Sequence, residues 1–162
     1  MRTGLILLAP ATEPLVADLR DEVPAHVTVL FPFRPWEETG PSLRAQLATI
    51  FSQQAAIDVT FASVGRFPGV VWLKPEPRDP IDRLTRMLVQ AFPDCLSYDG
   101  EFADPVPHMT ALKSQDSAEL DAAQKLLESR LAQPVAARLD ACSLFAETDA
   151  GWREMLRFPL GG

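Results

Sequence analysis

Short apolar runs alternate with helical stripes along this chain, and prolines punctuate the joins. Gly4 to Ala9 is continuously apolar and short, which predicts a buried strand. Glu13 to Val23 carries Leu15, Val16 and Leu19 at helical spacing, with Pro14 suited to a first turn and Thr12 placed to cap it. His26 to Phe31 is β-rich, and Pro32 to Pro35 makes a rigid loop. The stripe Leu43, Leu47, Ile50 and Phe51 predicts a helix over Pro41 to Gln53. Ile57 to Val64 and Val70 to Leu73 read as a hairpin turning around Arg66 to Gly69. Ile81, Leu84, Leu88 and Phe92 predict a helix over Pro80 to Phe92, followed by a polar, loop-like stretch from Pro93 to Pro107. A strand over His108 to Leu112 and a helix over Ser117 to Leu131 come next. Val135 to Phe145 and Trp152 to Phe158 form the expected last hairpin, with Gly151 in its turn.

The order repeats. Strand, helix, strand beginning with histidine, helix and hairpin start first at Gly4 and again at Val70. The strand from Val70 would close the first half and open the second. A period of half the chain is too long for a solenoid and predicts two similar lobes within one α+β domain over residues 1–162, with a cleft between them.

The only two histidines occupy the same frame in the two copies: His26-Val27-Thr28-Val29 and His108-Met109-Thr110-Ala111, 82 residues apart. On a strand, side chains alternate, so each His and Thr share one face while the apolar residues point to the core. Two such strands related by a pseudo-twofold would offer two imidazoles and two hydroxyls to one cleft. Chance placement of both histidines in this frame is on the order of one in several thousand.

Composition narrows what the cleft serves. Hydrophobic residues at 47% and charged residues at 23% are ordinary for a globular chain, and exclude intrinsic disorder. A net charge of -7 argues against a long nucleic-acid footprint, while leaving room for a small phosphate ligand in a local cationic pocket. Cys95 and Cys142 have no metal-ligand spacing and read as reduced, buried thiols. Leu5 to Pro10 is too short to cross a bilayer or to form a signal-peptide core, so the expectation is a cytoplasmic monomer with no membrane partner.

The paired frame suits phosphoester cleavage. A neutral imidazole accepts a proton from the nucleophile, and a protonated one supplies the leaving oxygen. The threonine hydroxyls donate to the non-bridging oxygens as charge builds. Neither a metal nor another cofactor is called for, because two His and two Thr lack a third strong zinc ligand.

Tandem HxTx motifs about 80 residues apart in a bilobal chain resemble the 2H phosphoesterase superfamily, and within it the 2′-5′ RNA ligase family and RNA cyclic phosphodiesterases. His26 to Phe33 is similar to the first motif with its aromatic-proline loop, and Pro107 to Leu112 to the second. Arg66 to Leu73 is similar to the family's central hairpin. The resemblance implies two antiparallel sheets around a central cleft with helices outside. It also implies metal-independent hydrolysis of a cyclic phosphate on a nucleotide or RNA end. By motif, His26 and His108 are then the acid/base pair and Thr28 and Thr110 the phosphate binders. A 2′-5′ ligase-type activity and a non-catalytic nucleotide or cyclic-phosphate module are the alternatives that use the same residues.

The surroundings are read more coarsely. Arg34 and Arg66 are candidates for a cationic rim, and Phe33 and Phe67 for stacking on a base. One of Phe31 and Phe33 is expected at the cleft. Trp72, Trp152 and Phe158 read as packing residues. Lys113 falls on the face opposite His108 and Thr110 if alternation persists, and reads as a solvated strand end.

Overall fold

The structure, a computed structural model, describes residues 1–19, 23–101 and 105–161. Among these, eight strands and four α-helices follow the expected order: β1 (Thr3–Leu8), α1 (Glu13–Val16), β2 (His26–Leu30), α2 (Pro41–Ser52), β3 (Ile57–Phe67), β4 (Val70–Glu76), α3 (Asp79–Ala91), β5 (Met109–Lys113), α4 (Ser117–Arg130), β6 (Val135–Leu139), β7 (Ala141–Thr148) and β8 (Gly151–Pro159). They form two four-stranded antiparallel sheets, ordered β2-β1-β7-β8 and β5-β4-β3-β6.

Three expectations are corrected. The helix over 13–23 shrinks to Glu13–Val16; residues 20–22 of that span lie outside the described residues. The Glu13 carboxylate accepts from the Ala25 amide at 2.7 Å, which ties the helix start to the entrance of β2. The single strand expected over Val135 to Phe145 is divided at Asp140: Val135–Leu139 pairs with β3 in one sheet, and Cys142 to Ala146 pairs with β1 in the other. The predicted hairpin partner of β8 is therefore β7 alone. Finally, the lobes are not successive halves of the chain. The hairpin β3–β4 lies within the second sheet, and the first sheet joins β1 and β2 to the carboxy-terminal β7 and β8. The loop expected over 93–107 includes residues 102–104, which are outside the described residues.

The helices cover the outer faces through the stripes that predicted them. Leu47 and Phe51 of α2 pack toward β8, Ile81, Leu84 and Leu88 of α3 toward β2, and Leu120, Ala123 and Leu127 of α4 toward the second sheet. Asp116 caps α4 by accepting from the Ala118 amide at 2.9 Å, which satisfies one amide of the open first turn. Phe158 is buried against Phe51, with ring centroids 5.5 Å apart. No helix among the described residues is long and apolar enough to cross a membrane. The pseudo-twofold matches β1–β2 with β4–β5, so the two histidine strands are equivalent sheet edges, and β2 and β5 meet each other.

Candidate active site

The meeting of β2 and β5 opens a cavity of about 920 Å³ whose walls include His26, Thr28, His108 and Thr110. The alternation read from the sequence holds through both triplets: Val27 and Met109 are fully buried while the flanking His and Thr are half-buried.

Each imidazole is held in the same way. Nδ1 of His26 donates to the Pro24 carbonyl at 2.7 Å, and Nδ1 of His108 to the Val106 carbonyl at 2.8 Å, in both cases two residues back. A carbonyl only accepts, so Nδ1 carries the hydrogen and Nε2 is the nitrogen that gains or loses the proton. Burial pushes the His108 pKa below the ordinary histidine value, and the Lys113 charge lowers it further against a raising effect of the Val106 bond.

Both motif strands then break register at the same place. Ile6 pairs with Thr28 but Leu5 with Leu30, leaving Val29 as an extra residue. Trp72 pairs with Thr110 but Val71 with Leu112, leaving Ala111 extra. A bulge sets two residues against one and shifts the faces beyond it. Alternation therefore does not persist to Lys113, which lines the cavity instead of the opposite face. It is the one Lys or Arg among the described lining residues, and none of them is acidic, although the chain carries 22 Asp and Glu. That combination favours an anion.

Aromatic rings shape the rest. Phe67 lines the cavity as expected, stacked on Trp72 at 4.7 Å and 28° and set edge-on to His108 at 5.2 Å. Trp72 is buried, at 7% exposure, but against Phe67 and His108 (6.0 Å) on the Thr110 side of its strand. Of the Phe31 and Phe33 pair, Phe31 faces the cavity, edge-on to Trp152 at 6.0 Å. Trp152 also lines it, which corrects the expectation of plain packing; β8 follows β7 into the first sheet and places the ring there.

Tyr98, the one tyrosine in the chain, falls in the stretch read as a polar loop. Its ring lies nearly parallel to His108 at 6.5 Å and 25°, and its hydroxyl shares a hydrogen bond with Thr28. It thus touches both motifs, and burial pushes its phenol pKa up. Tyr98 and Asp99 hold left-handed backbone, at φ 52° and 55°, a conformation side chains other than glycine seldom adopt.

The remaining rim candidates lie elsewhere. Arg34 pairs with Asp94 at 2.8 Å and lies over the Phe92 ring, and Phe33, 5% exposed, sits edge-on to that same ring. Arg66 projects to α4, where Asp121 at 2.8 Å and Gln124 at 2.9 Å hold it. None of the three lines the cavity. Among the described residues there is no group of three or more His, Cys, Asp or Glu placed to hold a metal.

Comparison with known proteins gives a consistent picture. The family model of the 2′-5′ RNA ligase superfamily matches residues 11–151. The crystal structure of E. coli LigT complexed with 3′-AMP is similar over 99% of this chain and 98% of that one, at 16% identity and a TM-score of 0.65. The protein TT0787 of Thermus thermophilus is similar over 100% of this chain and 99% of that one, at 19% identity and a TM-score of 0.67. A structure described as a phosphoesterase is similar at 15% identity and a TM-score of 0.62, over 99% of both chains. No curated protein sequence matches the chain.

Proposed function

The chain belongs to the 2′-5′ RNA ligase superfamily, and from that premise we propose that it is a metal-independent phosphodiesterase that opens a cyclic phosphate on a nucleotide or RNA end. The observation that carries the reading is the pair of Nδ1-anchored histidines, each two residues before a threonine, in one cavity without acidic walls among its described residues.

His108, whose burial favours the neutral imidazole, accepts a proton from water at Nε2 as the water oxygen bonds to phosphorus. One ring P–O bond breaks, and His26, protonated at Nε2, delivers its proton to the departing ribose oxygen. The product is a phosphomonoester, with one proton transferred in at one histidine and out at the other. Thr28, Thr110 and Lys113 face the non-bridging oxygens and offset the charge that grows on them. Phe31, Phe67 and Trp152 offer ring faces to the base. Structures of the similar LigT with 3′-AMP, ATP and NADP+ support a ligand of nucleotide size. We take the protein to act as a cytoplasmic monomer.

The test is turnover, with chelator present, of 2′,3′-cyclic nucleotides, an RNA ending in a cyclic phosphate, ADP-ribose 1″,2″-cyclic phosphate and a 2′-5′-linked dinucleotide. His26→Ala and His108→Ala should each lower kcat by about 10²- to 10⁴-fold in a protein that remains folded by circular dichroism. Retained activity in both variants, or loss of wild-type activity on adding chelator, refutes the mechanism. Cleavage of the dinucleotide alone would instead assign the reverse of a ligation.

A further inference from the structure

A second cavity, of about 430 Å³, adjoins the first and shares Thr28, Phe31 and Tyr98 with it. Its far wall is α3. There Arg86 and Gln90 stand one helical turn apart, both exposed, and neither side chain pairs with a described residue. The one acid among the described residues of this wall, Asp82, is engaged by Arg78 at 2.8 Å. Thr85, between them, donates to the carbonyl of the bulged Val29 at 2.8 Å, fixing α3 against the strand that carries His26 and Thr28. A guanidinium without a partner among the described residues thereby stands beside the catalytic cavity, while Arg34, Arg66 and Arg78 are engaged by Asp94, Asp121 and Asp82.

Resting on the phosphodiesterase reading, we propose that this cavity is a subsite for the neighbouring nucleotide of an oligonucleotide end, with Arg86 on its phosphate and Gln90 on its base or ribose. A guanidinium fork matches two phosphate oxygens, and a carboxamide both donates and accepts. The catalytic cavity is large enough for one nucleotide, so the adjoining one distinguishes an RNA end from a free cyclic mononucleotide. A single added cation contact is compatible with a net charge of -7, where a long basic track would not be.

Calorimetric titration tests this without turnover, using uridine 3′-monophosphate and the dinucleotide UpUp as ligands. The wild type should bind UpUp about tenfold more tightly, and Arg86→Gln should remove that gain while leaving the monophosphate affinity in place. The gain should also shrink as salt rises, as expected for one phosphate contact. Equal affinities in the wild type, or a gain that survives Arg86→Gln, overturns the subsite and leaves the phosphodiesterase reading standing. Failure of both ligands to bind overturns the two together. Circular dichroism of Arg86→Gln shows that the exposed helix position has kept its fold.

Discussion

Gly65 lies opposite Trp72 in the β3–β4 ladder, and the indole covers the space where a side chain would stand. A Cβ at this position would fall 2.2, 2.3 and 2.6 Å from three ring carbons of Trp72. Ordinary carbon contacts are about 3.5–4.0 Å, so Gly65→Ala requires the indole to retreat by roughly 1 Å or more. Any retreat disturbs its neighbours, with Phe67 stacked on the ring at 4.7 Å and His108 6.0 Å away. Overpacking of this kind costs about 1–3 kcal/mol. At 162 residues, each kcal/mol is about 2–4 °C in Tm, so a drop of about 2–12 °C is expected. Movement of the indole also displaces His108, and a shift of about 1 Å in an acid/base group can lower turnover by about 10²-fold. Thermal unfolding followed by circular dichroism, with cyclic-phosphate turnover beside it, reads both effects. A double-mutant cycle with Trp72→Val isolates the contact, because Gly65→Ala should cost far less once the indole is gone. An unchanged Tm, or the same cost in both backgrounds, would refute the packing argument.

Two further outcomes follow from the site and the core. With only two histidines to assign, NMR titration should show His108 titrating below the ordinary value near 6.5, and Lys113→Gln should raise it by removing a like charge. As pH falls the unfolded chain takes up this proton first, so the contribution to stability is complete above about 6.5 and declines toward the lower folded value. A folded-state titration at or above 6.5 contradicts the burial argument. Cys142 is fully buried and burial pushes its thiol pKa up, so thiol reagents should label it only at the rate of global opening; rapid native-state labelling would show that β7 is not closed.

What could be read from the chain alone was whatever depends on neighbours along it. The apolar stripes at Leu43 to Phe51 and Ile81 to Leu88 located α2 and α3, because the helical period is set within a few residues. The His-x-Thr triplets put each pair on one face because strand alternation is equally local, and their repetition pointed to a shared cleft. Phe67, a stacking candidate in the sequence, does line the cavity.

The rest required partners distant in sequence. Strand pairing moved β3 into the second sheet and β7 into the first, and divided the run from Val135 at Asp140, since either apolar segment could satisfy either ladder locally. The bulges at Val29 and Ala111 exist only relative to β1 and β4, so the sequence placed Lys113 on the wrong face. Arg34 and Arg66 were drawn away from the cleft by Asp94 and Asp121, 60 and 55 residues along the chain. Tyr98 reached both motifs only because its loop folds back over β2, where its amide meets the Phe31 carbonyl. Local periodicity therefore determined the paired histidines and threonines, while cross-strand register and long-range ion pairing decided which cation and which aromatic rings surround them.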